Sequence, residues 1–144
     1  MILGIDPGKS GGFALRSLDQ KFTAGFSFTK ATEADVIAII RGYLPHIRHA
    51  YLEKVHSMPG QGVKSMFTFG QNYGFWLGIL YSLQIPCTHV TPLKWQTLMQ
   101  CKSKGDKNVT KRRAQELFPD QKITHAIADA LLIADYGRRV YLDF

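Results

Sequence analysis

The sequence predicts a single α/β domain, residues 1–144, in which a mixed five-stranded sheet is flanked by helices. Two observations support this. Apolar strands and amphipathic helices follow one another as three strands, a helix, a strand, a helix, a strand and then further helices. The chain has 144 residues, of which 45% are hydrophobic. This is enough to bury a core without disulfide bonds or a structural metal.

The first strand organises the rest of the chain. Apolar residues around Gly4 lead to a carboxylate, Asp6, and a Pro-Gly pair then turns the backbone away. A fourth strand delivers a second acid, Glu53. In open α/β sheets, ligands bind beyond the carboxyl ends of the parallel strands, where both acids are expected. The other strands are predicted at residues 13–15, 22–28 and 85–90, and the fourth at residues 50–55.

The remaining segments have helical spacing and helix-ending signals. The first helix begins after Thr32, a typical N-cap with acids in the following turn, and ends at Pro45. A long second helix begins at residue 63 or 64. Three more helices are predicted at residues 92–100, at 109–118 and from about 124 onwards.

Three glycines lie on one face of the long second helix. Gly70, Gly74 and Gly78 are spaced at i, i+4 and i+8. Each costs about 1 kcal/mol relative to alanine in a helix interior. Their common face therefore predicts that another backbone comes close, either the sheet beneath or a second subunit.

The charge of the chain indicates an anionic partner. A formal net charge of +7 favours a nucleic-acid backbone, although ribosomal or membrane-surface binding fits the same number. The longest apolar stretch, residues 74–83, is too short to span a bilayer, and no basic region precedes the first strand. We expect the protein in the cytoplasm, or in the host cytoplasm if a phage encodes it. Cys87 and Cys101 then remain free thiols.

A constellation of acids carries the predicted chemistry. His125 and Asp129 are four residues apart on the last helix, so they can face the site formed by Asp6 and Glu53. Taken alone, each acid also has a structural explanation. Asp6 could cap the turn after its strand, Glu53 could be a half-exposed strand residue, and Asp129 could belong to a surface stripe of its helix. Carboxylates held together repel one another unless divalent cations neutralise them, and oxygen ligands suit Mg²⁺ or Mn²⁺. Two such ions roughly 4 Å apart activate water and stabilise a leaving phosphodiester oxygen. His125 is either a ligand or a water-positioning group, and His56 is solvent-facing or a neighbour of Glu53.

Three motifs resemble those of the RuvC-type Holliday-junction resolvases, which have an RNase H-like fold. They are Gly4-Ile5-Asp6-Pro7-Gly8, the strand-borne Glu53, and Ala128-Asp129-Ala130-Leu131-Leu132-Ile133-Ala134. The resemblance spans nearly the whole chain. Residues 58–62, 67–70 and 116–119 also resemble the short phage and chloroplast members of this family.

The resemblance implies a homodimeric, Mg²⁺-dependent endonuclease that makes paired symmetric nicks in four-way or branched DNA. It also implies two metal ions per site, with Mn²⁺ as a substitute, held by Asp6, Glu53 and Asp129. The common bacterial pattern places Asp or His three residues before the last acid, where this chain has Ala126. His125 lies four residues before it, as in the phage and chloroplast type.

Basic and amide side chains are the candidate DNA contacts. Six cations fall within a dozen residues, and we expect them to bind phosphates and to set affinity rather than sequence choice. They are Lys102, Lys104, Lys107, Lys111, Arg112 and Arg113. Lys9 is a further contact, Phe67 is a candidate wedge at an opened base step, and base edges could be read by Gln61, Lys64 and Gln71. Trp76 and Trp95 are assigned to the core.

Other functions are kept as alternatives or set aside. An RNase H-like nuclease acting on RNA or RNA–DNA hybrids keeps the fold and changes the substrate. A non-catalytic branched-DNA-binding protein would need only the basic surface. The segment from Asp6 to Ser10 is not a phosphate loop, because Leu3 stands where that motif needs glycine. An actin-like sugar kinase requires a second domain.

Overall fold

The computed structural model describes residues 1–54 and 60–143. The strands in this part of the chain are β1 (Ile2–Asp6), β2 (Gly12–Arg16), β3 (Thr23–Ser27), β4 (His49–Glu53) and β5 (Cys87–Val90). The helices are α1 (Glu33–Tyr43), α2 (Val63–Ser82), α3 (Pro92–Leu98), α4 (Lys107–Leu117) and α5 (His125–Leu142), with a short 3-10 helix at Leu44–His46.

The strands form one mixed sheet in the order β3-β2-β1-β4-β5. Strands β1, β4 and β5 are parallel, whereas β2 runs antiparallel to both β1 and β3. The predicted α/β class with a mixed five-stranded sheet is confirmed. Ile5 lies opposite Leu52, so the next residue of each strand, Asp6 and Glu53, ends at the same edge of the sheet.

Helix α5 packs on one face of the sheet, directly over β1 and β2. Gly4 makes this approach possible, because a β-carbon there would lie 2.5 Å from the carbonyl oxygen of Ala130. The helix is buried from Ile127 to Gly137, as expected from its apolar face. Helices α1 and α2 supply a second core on the opposite face, where Ile40 and Trp76 are buried.

Asp135 anchors the second half of α5. This buried carboxylate accepts hydrogen bonds from Arg138 Nε at 2.8 Å, Arg139 Nε at 2.9 Å and Arg16 Nε of β2 at 3.4 Å. Burial by itself would raise the pKa of Asp135, but the hydrogen bonds and charges of Arg138 and Arg139 outweigh it and lower the pKa. The ion-pair network therefore fixes α5 against the sheet at the end away from Asp6.

Several predicted boundaries are shifted by a few residues. α4 begins two residues early, at Lys107, because the side chain of Asp106 caps it by accepting a hydrogen bond from Asn108 N at 2.9 Å. α3 ends at Leu98 and β5 begins only at Cys87. The predicted N-cap of α1 is correct: Thr32 Oγ1 accepts a hydrogen bond from Asp35 N at 3.2 Å. Val55, Met58 and Pro59, the predicted strand end and loop, lie outside the described residues.

The glycine stripe of α2 does not face the sheet. A β-carbon at Gly70, Gly74 or Gly78 would meet nothing within 4 Å. One of the two explanations offered by the sequence, close contact with the sheet beneath, is therefore wrong. In the part of the chain that the structure describes, none of the helices combines the length and hydropathy that a membrane span requires.

Candidate active site

Three carboxylates are buried around the carboxyl edge of the sheet. Asp6 ends β1, Glu53 ends the neighbouring parallel strand β4, and Asp129 lies in the second turn of α5. They are 7%, 8% and 4% exposed, respectively. The charge of each of Asp6 and Asp129 acts on the ionisation of Glu53, so the strands and the helix bring the three predicted acids to one place.

Asp6 is held by the turn that follows it. Gly8 N donates a hydrogen bond to Asp6 Oδ1 at 3.2 Å. A β-carbon at Gly11 would lie 2.8 Å from Asp6 Cγ, so the turn has room for the carboxylate only because this residue is glycine. Burial raises the pKa of Asp6 above its usual value; Lys107 opposes this rise and Asp129 adds to it.

Glu53 is held by an indole. Trp95 Nε1, on α3, donates a buried hydrogen bond of 2.6 Å to Glu53 Oε2. Burial and the neighbouring charge of Asp6 raise the pKa of Glu53 to about 7, although the hydrogen bond from Trp95 acts in the opposite direction. Glu53 is therefore a carboxylate that binds or releases a proton near neutral pH unless another cation joins the site.

A lysine already reaches this cluster. Lys107, the first residue of α4, donates from Nζ to Asp129 Oδ2 at 2.8 Å. Its side chain is 62% exposed, so the ammonium group approaches the buried carboxylate from the solvent side. Partial burial lowers the pKa of Lys107, but the negative charges of Asp129, Asp6 and Glu53 outweigh it and the pKa is raised.

The charges in this cluster do not balance. One ammonium faces three carboxylates, and Asp129 Oδ1 is buried without a hydrogen-bond partner among the described residues. Oxygen donors with surplus negative charge suit a hard divalent cation. Within residues 1–54 and 60–143, however, no group of three or more His, Cys, Asp or Glu is arranged to hold a metal ion. The residues fit a cation by the chemistry of their oxygen donors and by their surplus negative charge.

His125 differs from the three acids. It is exposed at the first residue of α5, whereas Asp129, one turn later, is buried. His56 lies outside the described residues. A role for His125 as a metal ligand or a water-positioning group therefore stays a prediction.

The structure shows contacts of Trp95 and Lys107 that the sequence does not predict. Trp95 is fully buried, as predicted for the core, but it is also the hydrogen-bond donor to Glu53. Lys107, predicted as a phosphate contact, forms an ion pair with Asp129. Neither spacing nor composition signals these contacts, because they join α3 and α4 to residues far away in the chain.

Most of the other predicted DNA contacts are exposed. Lys9 is exposed on the turn after β1, and Lys64, Phe67 and Gln71 are exposed on the first half of α2, just after Gln61. Lys102 and Lys104 are exposed in the loop before α4, and Lys111, Arg112 and Arg113 lie on α4 itself.

Arg113 has a structural role as well. Its Nε donates to Met99 O at 2.8 Å, and its guanidinium pairs with Glu116 at 3.0 Å. The bond to Met99 joins α4 to the end of α3 and the pair with Glu116 lies within α4, so Arg113 is less free to bind phosphate than the exposed lysines before α4.

No known family model matches the chain, and no curated protein matches its sequence. Its fold is nevertheless similar to solved structures. RuvC of Thermus thermophilus in complex with a Holliday junction substrate superposes with a TM-score of 0.67 at 14% identity, covering 96% of this chain and 94% of that one. A second Thermus thermophilus RuvC structure gives a TM-score of 0.59 at 13% identity, covering 97% and 96%. The chain has a RuvC-like, RNase H-like fold.

Proposed function

We propose that this protein is a structure-selective endonuclease that introduces paired symmetric nicks into four-way or branched DNA. The observation that carries the proposal is the buried cluster of Asp6, Glu53 and Asp129 at the carboxyl edge of the parallel strands. The net charge of +7 supports a nucleic-acid substrate. The similarity to a RuvC structure that contains a Holliday junction supports branched DNA.

Asp6, Glu53 and Asp129 would hold the metal, with His125 as a further ligand or a water-positioning group. We propose Mg²⁺, with Mn²⁺ as a substitute and two ions per site. When bound, the metal supplies an activated water and stabilises the leaving oxygen of the phosphodiester. The unpartnered Oδ1 of Asp129 and the raised pKa values of Asp6 and Glu53 support a cation at this place.

The chain's own groups orient the carboxylates and balance their charge. The hydrogen bond from Trp95 Nε1 fixes the direction of the Glu53 carboxylate, and the backbone N–H of Gly8 does the same for Asp6. Such outer hydrogen bonds orient metal ligands. Lys107 Nζ partly neutralises Asp129, and its exposed side chain also makes it available to a DNA phosphate.

We also propose that the active form is a homodimer, joined through the outward face of α2. A four-way junction has approximate two-fold symmetry, so two identical subunits place two identical sites on it. Val63 and Tyr81 on α2 are 83% and 68% exposed. The glycines on the same helix leave open space around the backbone. A second copy would cover these apolar side chains and approach the glycine stripe.

The proposal is tested with an end-labelled synthetic four-way junction. With Mg²⁺ we expect paired nicks confined to the junction, and we expect EDTA or Asp6→Asn to abolish them while junction binding persists. A matched linear duplex and an RNA–DNA hybrid serve as control substrates. Asp19→Asn, a change of an exposed acid on the β2–β3 turn, is the matched control variant.

Two outcomes would contradict the proposal. Cleavage of the hybrid in preference to the junction would identify an RNase H-like activity. Tight junction binding without any cut in either Mg²⁺ or Mn²⁺ would identify a binding protein.

A further inference from the structure

A groove runs between α1 and the first half of α2, beside the candidate active site. It consists of two adjoining cavities of about 520 Å³ and 300 Å³ that share Lys9 and Thr68 in their walls. Cavities of this size hold a small organic ligand or part of a larger one. We refer to both cavities together as the α1–α2 groove.

The two ends of the α1–α2 groove differ in chemistry. The larger cavity is bordered by the aromatic rings of Phe28 and Phe75, the amide of Asn72 and the carboxylate of Glu33. The smaller cavity has Lys64 and Lys9 in its wall, and no acid lies in the first turn of α2. One end therefore suits a flat ring with polar edges, and the other suits an anion. A nucleotide combines these two features.

The groove is continuous with the turn that holds the first acid. Lys9 follows Asp6 by three residues, and Gly8 between them donates a hydrogen bond to the Asp6 carboxylate. A nucleic-acid strand whose phosphate lies at the carboxylates has Lys9 as an adjacent cation. Because Lys9 also lines both cavities, this turn joins the groove to the first acid of the site.

The groove face of α2 is separate from the face proposed for the dimer. Thr68, Asn72 and Phe75 are spaced at i, i+4 and i+7, so they form one stripe on the helix. Gly70 and Gly74 lie about half a turn away from this stripe and have open space around them. The groove can therefore be occupied while a second subunit covers the other face.

We propose that the α1–α2 groove takes up one unpaired nucleotide of the DNA strand next to the cleaved phosphate. The base enters the larger cavity, and its phosphate lies against Lys9 and Lys64. Glu33 accepts a hydrogen bond from an exocyclic amino group and Asn72 pairs with a base edge, which disfavours thymine, the base without such an amino group. The groove thus selects the sequence that is cut, an inference that rests on the proposed junction endonuclease.

The test uses 2-aminopurine, a fluorescent adenine analogue that brightens when it leaves the base stack. It is placed in turn at each position flanking the crossover of a four-way junction, and the junction is bound to the Asp6→Asn protein so that it stays uncut. We expect brightening at one position only. Ala31→Phe, which adds a ring in the wall of the groove, should abolish the brightening, whereas Ala38→Phe, on the exposed face of α1, should keep it.

A second measurement does not depend on filling the groove. On junctions with each of the four bases at that position, Asn72→Ala with an intact active site should reduce the preference between the best and the worst base about tenfold, the effect of losing one base contact. Cleavage of the best junction that proceeds with an unchanged base preference in Asn72→Ala would overturn the groove assignment.

The two proposals fail in different ways. If wild-type protein cuts junctions and no position brightens, the groove assignment is wrong and the endonuclease proposal stands. If brightening persists in Ala31→Phe, the groove assignment is again wrong. If the protein neither binds nor cuts any junction, the endonuclease proposal fails and the groove inference fails with it.

Discussion

Glu53 is a carboxylic acid in surroundings that disfavour its charge. It is buried next to Asp6, and the hydrogen bond from Trp95 compensates only in part, so its pKa rises from 4.5 to about 7. The folded protein therefore holds a proton on Glu53 in a pH range where the unfolded chain has released it. A difference in bound protons between the two states makes stability depend on pH.

We expect the metal-free protein to lose stability as the pH rises from about 4.5 to about 7. Stability falls with rising pH because the folded state binds the proton more tightly than the unfolded state. For this pKa shift the loss in the free energy of unfolding is at most about 3 kcal/mol. Glu53→Gln should remove most of this loss and be more stable than wild type at pH 8. Urea unfolding in EDTA at pH 5 and pH 8 measures the effect.

Glu33→Gln, a change of an exposed glutamate on α1, is the control and should keep the wild-type pH dependence. Equal pH dependence in wild type and Glu53→Gln would show that Glu53 does not carry the proton. Adding Mg²⁺ should restore the stability of wild type at pH 8, because a metal takes the place of the proton.

At this scale the sequence predicts the acids but not their partners. Asp6 and Glu53 stand out because apolar strands lead directly to them, and Asp129 stands out because it interrupts an apolar helix. Lys107 is one of six clustered cations, and only the placement of α4 against α5 singles it out as the partner of Asp129. Contacts between distant segments depend on how the helices pack, which periodicity does not contain.

Among the elements, α5 controls the position of Asp129. It lies so close to β1 that a side chain at position 4 would collide with the backbone of Ala130. Because Asp129 is the residue before Ala130, the same contact sets the distance between the helix carboxylate and Asp6. A change that lifts α5 therefore alters the core and the site together.

We expect Gly4→Ala to lower the free energy of unfolding by about 1–3 kcal/mol, the usual cost of overpacking a core. It should also reduce cleavage of the junction by more than this loss explains, because Asp129 moves away from Asp6. Urea denaturation and cleavage measured well below the unfolding transition separate the two effects. Gly42→Ala, on an exposed part of α1 with open space, is the control and should stabilise the protein by about 1 kcal/mol.

Full activity of folded Gly4→Ala would contradict the role given to this contact.

The element order and most element bounds could be predicted, because periodicity and caps such as Thr32 are local signals. The early start of α4 depends on Asp106 acting as a cap, a signal that the basic loop around it obscured.

At the scale of the whole molecule, the outward face of α2 is a surface that the rest of the chain does not cover. We expect wild type to be a dimer and Gly74→Arg to be a monomer with an unchanged fold, because the side chain would enter open space on one copy and collide with the other. Sedimentation equilibrium measures the mass. Gly42→Arg adds the same charge on α1 and should remain a dimer.

A monomeric wild-type protein, or a dimer that survives Gly74→Arg, would contradict this interface. Helical content checks the fold, because the melting temperature changes with the loss of the subunit contact as well as with the replacement of glycine. The glycine spacing predicts a close backbone contact; the sheet does not supply it, and the proposed homodimer would.

The ion pair between Lys107 and Asp129 has a consequence for how the proposed metal would enter the site. The ammonium is tethered to the chain, so its effective concentration at the carboxylates does not depend on the surrounding medium. The proposed Mg²⁺ is therefore not needed to pair the charge of Asp129 during folding. A divalent ion that enters the site exchanges with a resident cation instead of filling an empty one. The net gain is then one positive charge for the first ion, and the released lysine returns to the solvent side, where a phosphate would lie.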